Sequence, residues 1–215
     1  MNKDIRFYEQ RNEVLFVLNA ADVYLKKPLT RIEVQKIVYL SNTLSLLKDF
    51  IMDYFDFKVW YNGPYSKDIQ RTLNNLVGQR YIKMTYYRVE TKGNDKNEKT
   101  KYVIEESGKK VVEELLCFDT KKEDYEWIVS IIRLVNHYGI ENLVRIVYEE
   151  PTFKELKKSN DNFGASLNIY DENRNKLIKV ARELQRIGKQ DFGYSLDKPG
   201  DILLAIFDYL YAEID

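Results

Sequence analysis

The sequence predicts a mainly helical protein, α+β because a few short strands interrupt the helices. Three observations predict it. Four prolines and nine glycines among 215 residues leave too few turn-forming positions for a sandwich of short strands. Apolar residues recur at three- and four-residue spacing along most of the chain, the stripe by which a helix faces a core. Strand-like alternation is confined to residues 55–59, 81–89 and 101–105. With 44% hydrophobic residues, the chain has enough apolar material to bury a core of its own.

Val14, Leu15, Leu18 and Ala21 recur at helical spacing, and the helix they predict stops near Lys26-Lys27-Pro28. Thr30 followed by Glu33 is a capping box, in which each side chain satisfies a free backbone N–H of the other residue. It opens a second helix with Ile37, Leu40, Leu44 and Leu47 on one stripe. Phe55, Phe57 and Val59 alternate with Asp56 and Lys58 as in a short half-buried strand. In the turn Asn62-Gly63-Pro64, Gly63 can take a positive φ and Pro64 fixes its own. Ser66 is then placed to cap a helix with Asp68 in its first turn. That helix carries Ile69, Leu73, Leu76 and Val77 on one face and Lys67, Gln70, Arg71 and Asn74 on the other, and Gly78 is expected to end it.

The segments Tyr81 to Val89 and Lys101 to Glu105 read as a hairpin with a polar tip at Glu90 to Thr100. Ser107 is expected to cap a helix running to about Cys117. Helix, helix, hairpin, helix is the order of a winged helix followed by a packing helix. Further helices are expected at Tyr125 to Tyr138, Glu141 to Glu150, Glu172 to Ile187 and Pro199 to Ala212, broken at Pro151 and at residues 160–164. The full expectation is mainly α (α+β): a winged-helix-like core with a small β-hairpin wing, packed with additional C-terminal helices. Residues 1–29 form an N-terminal helix extension, 30–157 the winged-helix domain and 158–215 a C-terminal helical extension packed on it, since no flexible linker separates them.

Catalysis finds little support. His137 is the only histidine and falls at a helix C-terminus, where the dipole favours a cation, so it reads as structural. Cys117 after Leu115-Leu116 reads as a small core residue, and one cysteine excludes an internal disulfide. The pairs Glu105-Glu106, Glu113-Glu114 and Glu149-Glu150 are adjacent, their side chains diverge, and they read as solvated faces. The glycines match no phosphate loop or dinucleotide fingerprint. The expectation is a non-enzyme with no catalytic, cofactor-binding or metal site and no cofactor. A charged N-terminus and the lack of any apolar run near the ~20 residues that span a bilayer make the protein cytoplasmic, with no membrane partner.

Lys36-Ile37-Val38-Tyr39-Leu40, Trp60-Tyr61-Asn62-Gly63-Pro64-Tyr65-Ser66, and Tyr102-Val103-Ile104 leading into Ser107-Gly108-Lys109-Lys110 together carry a resemblance. So do Tyr138-Gly139, Glu141-Asn142-Leu143 and Tyr148-Glu149-Glu150-Pro151-Thr152-Phe153. Over roughly residues 30 to 157 the chain resembles the Panacea (SocA-like antitoxin) domain family, with Gly63-Pro64-Tyr65-Ser66 its most specific piece. Tyr148 and Phe153 stand where many members have His and Trp, and extra segments lie at both ends. Members are bacterial, phage and archaeal proteins, many of them antitoxins that neutralise a neighbouring toxin, others companions of mobile elements or defence loci. The resemblance implies no catalytic residues. It gives Trp60, Gly63, Pro64, Tyr65 and Ser66 the role of a structural motif.

Thirty-four basic and thirty-four acidic residues cancel, so electrostatic recognition must be local. Between Ser66 and Lys110, eleven basic residues face six acidic ones. Gln70, Arg71 and Asn74 are side-chain types that read base edges, while Lys67 and the wing lysines Lys92, Lys96 and Lys99 suit phosphates, and all seven are candidate nucleic-acid or partner contacts. The rival is a protein interface: seventeen tyrosines are many, and Asp191 to Asp215 holds six acidic residues against one lysine. The preferred expectation is an antitoxin-like or phage-defence-associated regulator that binds a protein partner, a toxin or another system component. The alternative is a DNA-binding winged-helix transcriptional regulator, and homo-oligomer formation stays open.

Overall fold

The capping box at Thr30 and Glu33 is formed as its spacing requires. The Glu33 backbone N–H donates to the Thr30 hydroxyl at 3.3 Å and the Thr30 N–H to the Glu33 carboxylate at 2.5 Å. The computed structural model describes residues 3–47, 52–89, 97–159, 162–169, 175–191 and 199–212. Helix α1 (Lys3–Ala20) continues through a wider π-helical turn (Ala21–Leu25) to the short strand β1 (Leu29–Thr30) and then α2 (Arg31–Leu44). After α3 (Lys67–Gly78) come strands β2 (Ile82–Val89) and β3 (Asn97–Ile104) and helices α4 (Glu106–Leu115) and α5 (Asp119–Tyr138). Helices α6 (Leu143–Glu149), α7 (Pro151–Lys157), α8 (Lys176–Asp191) and α9 (Pro199–Ala212) follow.

Val14 to Leu18 are five consecutive buried residues, so α1 is apolar all round where it crosses the core, and α2, α3, α4, α5 and β3 pack on it. The antiparallel sheet has the order β1-β3-β2, with Leu29 opposite Tyr102 and Ile82 opposite Ile104. The order α1-β1-α2-α3-β2-β3, with β1 closing the sheet against β3, is a winged-helix arrangement with the hairpin as its wing. Residues 45–66 stand where a short helix-turn-helix connection would be. The helices after α4 pack on this core: Trp127 of α5 donates its indole N–H to the Ser41 carbonyl of α2 at 3.1 Å. Asn175 caps α8, accepting from the Ile178 N–H at 3.2 Å, and donates to the Thr43 carbonyl at 3.0 Å.

Several expectations change. Residues 55–59 are extended with the expected alternation, Phe55, Phe57 and Val59 buried and Asp56 and Lys58 exposed, but they stay outside the sheet. Lys58 pairs instead with Tyr65 and with Ser166, and this clamps the intervening turn. Ser107 is no cap, because Glu105 occupies that position and the Ser107 hydroxyl donates to the Arg80 carbonyl at 2.5 Å. Cys117 is exposed, since α4 ends at Leu115 and the chain turns outward after it. Glu150 is buried, not solvated. Pro151 both ends α6 and starts α7, a helix the periodicity did not show, because proline is compatible with a first helical position. Helix α5 starts at Asp119 rather than Tyr125, and α8 runs from Lys176. Among the described residues no helix is long and apolar enough to cross a membrane.

Candidate functional site

One face of α2 nails the Asn62–Ser66 turn in place. Gln35 brackets Ser66, accepting from its N–H at 2.9 Å and donating to its carbonyl at 2.8 Å, as a neighbouring strand would. Lys36 donates to the Pro64 carbonyl at 3.0 Å. One helical turn on, the Tyr39 hydroxyl donates to the Glu150 carboxylate at 2.5 Å. Glu150 in turn caps α7, accepting from the Thr152 N–H at 2.8 Å and the Phe153 N–H at 2.9 Å. Residues from three of the resemblance-bearing segments thus meet at one place: Lys36 and Tyr39, the turn at 60–66, and Tyr148 to Phe153.

The Ser66 cap is formed, its hydroxyl accepting from the Asp68 N–H at 3.3 Å. Gly63 has φ of +89°, and a Cβ there would lie 2.4 Å from the Lys36 Nζ and 2.9 Å from the Tyr148 ring. Outside the turn, Trp60 is 45% and Tyr61 70% exposed. The Tyr61 ring lies 3.7 Å from that of Phe163, and Trp60 sits 6.0 Å from both Tyr65 and Phe163. A cluster of four rings therefore stands at the surface directly above the buried Lys36 contact.

Lys36 is 2% exposed, and burial pushes its amine down to about 7, with Lys157 adding to the shift. The unfolded chain holds this proton up to about pH 10.5, the folded chain only to about pH 7, so the unfolded state binds more protons between them. Stability is therefore expected to rise with pH through that window. Urea midpoints measured from about pH 6.5 to 9.5 should show the rise in the wild type. Lys36→Met should flatten it and be more stable at the acid end by about 1–2 kcal/mol. Parallel profiles for the two proteins would refute the buried-amine account.

Lys67, Gln70, Arg71 and Asn74 share the outer face of α3, Gln70 half-buried and the others exposed. Gln70 donates to Asn74 at 2.9 Å and accepts from Arg31 at 3.2 Å, while Arg71 pairs with Asp68 at 3.0 Å. Lys92 and Lys96 lie outside the described residues. Lys99 lies in β3 opposite Tyr87. His137 is exposed in the last turn of α5, edge-on to Tyr138. No protein-family model matches the chain, and no curated protein matches it.

Sequence reasoning missed Gln35, Glu150 and Phe163 as site residues, and it quoted Lys36 and Tyr39 without a role. No local signal marked Lys36. Gln35 and Lys36 fall in the run Val34 to Leu44 of α2 that distant segments bury, and polar groups so buried demand partners.

Proposed function

We propose that this protein works by non-catalytic binding in the cytoplasm, as an antitoxin-like or phage-defence-associated regulator whose partner is a protein, a toxin or another component of its system. The observation that carries the reading is the surface cluster in which exposed Trp60 and Tyr61 pack with half-buried Tyr65 and Phe163, on a turn held by two α2 side chains, Gln35 and Lys36. Rigid aromatic rings give contact area with few rotamers to freeze, which is why they dominate protein interfaces. The meeting of the resemblance-bearing segments beneath that cluster supports the Panacea-like reading. The test is co-purification with the product of the neighbouring gene. The Trp60→Ala/Tyr61→Ala variant, altered only at exposed positions, should lose at least about tenfold in affinity. Unchanged capture would overturn the reading.

A second reading, DNA binding through the winged helix, is favoured by the alignment of Lys67, Gln70, Arg71 and Asn74 on the outer face of α3. Reading bases would require breaking the Gln70–Asn74 and Arg71–Asp68 contacts. Mobility shifts on the upstream duplex at two salt concentrations decide it: tight, sequence-selective and salt-sensitive binding with no protein partner would make this reading the correct one.

A further inference from the structure

Between the first turns of α2 and the turn at 60–65 lies a cavity of about 100 Å³, lined by Arg31, Gln35, Lys36, Trp60, Asn62 and Tyr65 among others. A lysine ammonium has three donors, and among the described residues the acceptor found for Lys36 is the Pro64 carbonyl. Among the described residues no carboxylate pairs with it, and the nearby acids are occupied. Glu33 serves the capping box, Asp68 binds Arg71, and Glu150 accepts from Tyr39 and two backbone amides. Positive groups gather instead: Arg31 lines the cavity with Lys36, and Lys157 stands close enough to Lys36 to act on it electrostatically.

A buried cation with spare donors, beside a cavity walled by a second cation and by aromatic rings, is built to receive an anion. Sites for drug-sized ligands occupy about 300–1,000 Å³, so this volume suits one side-chain carboxyl and excludes a nucleotide. We propose that the cavity receives an aspartate or glutamate side chain of the protein partner, with Lys36 and Arg31 as its cationic contacts and the Trp60–Tyr61–Phe163 cluster packing the residues beside it. This rests on the protein-partner reading and adds the chemistry of the partner's anchor. A charge pair sealed from water at the centre of an aromatic patch is the arrangement found at interface hot spots. Because burial lowers the Lys36 amine to about 7, the arriving carboxylate restores its charge by proton uptake, and binding weakens above neutral pH. The other titratable or charged groups around Lys36 are Arg31 of α2, Tyr65 of the turn, Tyr148 of α6 and Lys157 of α7. Burial pushes the Tyr148 hydroxyl up, away from this window.

Carbon NMR of protein labelled at lysine Cε reads the Lys36 titration directly, with Lys36→Met identifying the resonance. Equal concentrations of sodium acetate, sodium chloride and acetamide serve as probes. Acetate is expected to raise the Lys36 midpoint by at least about 0.5 pH unit, whereas chloride and acetamide leave it in place. An unmoved midpoint in acetate, or an equal shift in chloride, overturns the proposal. With the neighbouring gene product as partner, Lys36→Met should lose at least about tenfold in affinity at pH 6.5. If Trp60→Ala/Tyr61→Ala abolishes capture while acetate leaves Lys36 unmoved, the protein-partner reading stands and this one falls. If acetate shifts Lys36 but capture ignores Trp60 and Tyr61, the partner reading fails, and this inference fails with it through its occupant.

Discussion

Glu150→Ala is expected to lower the unfolding free energy by about 3–5 kcal/mol, since each buried donor left unpaired costs about 1–3 kcal/mol. Glu150 is fully buried, and its two oxygens accept from the Tyr39 hydroxyl, the Thr152 N–H and the Phe153 N–H. Truncation strands three donors away from water and removes the cap of α7, each a separate cost. Glu150→Gln keeps one acceptor oxygen and the side-chain volume, so its loss should be smaller. Urea denaturation of the three proteins tests the order, and a loss under about 1 kcal/mol for Glu150→Ala would show that α7 is held by packing alone. Burial raises the Glu150 carboxyl above its usual range despite the three donors. Its folded value exceeds its unfolded one, so its contribution is complete below the unfolded value and declines as pH rises through the folded one. Glu13, fully buried against Asn42 and pushed further in the same direction, adds to that decline.

Gly63→Ala is expected to cost about 2–5 kcal/mol and to disturb the site itself. A side chain at φ of +89° is strained wherever it points, a penalty of roughly 1–2 kcal/mol. The new methyl would also overlap the Lys36 Nζ and the Tyr148 ring, and displacing them costs about 1–3 kcal/mol more. Lys36 would have to leave the Pro64 carbonyl, so the Trp60 and Tyr61 rings should change exposure. Thermal denaturation measures the first effect and acrylamide quenching of tryptophan the second. A variant with wild-type melting and quenching would mean that the turn accommodates a side chain, and that Lys36 is not held against Gly63.

The helical stripes, the hairpin and the caps at Thr30 and Ser66 were legible in the sequence, and α3 shows why. Its capping serine, acidic first turn and apolar spacing lie within twelve residues, so each interaction that forms the helix is present in a short window. Where a neighbour from afar competes, the same reasoning goes astray. Ser107 has the residue type of a cap, but the Arg80 carbonyl, 27 positions away, takes its hydroxyl. Cys117 follows two leucines and reads as core, yet the helix ends before it and the turn presents it to solvent.

Local chemistry alone decided where α2 and α3 begin, which face each turns inward and that a hairpin separates α3 from α4, because periodicity and capping act over at most a few residues. Tertiary structure decided which charges are buried and what they meet. Gln35 reaches Ser66 across 31 positions, Lys36 reaches Pro64 across 28 and Tyr39 reaches Glu150 across 111. Glu149 and Glu150 are chemically equal neighbours, yet one is half-exposed and the other sealed, since burial depends on which distant segment covers a side chain. The energetic penalty of a sealed charge, and with it the site around Lys36, arises only once α2, the turn and α7 have closed on one another.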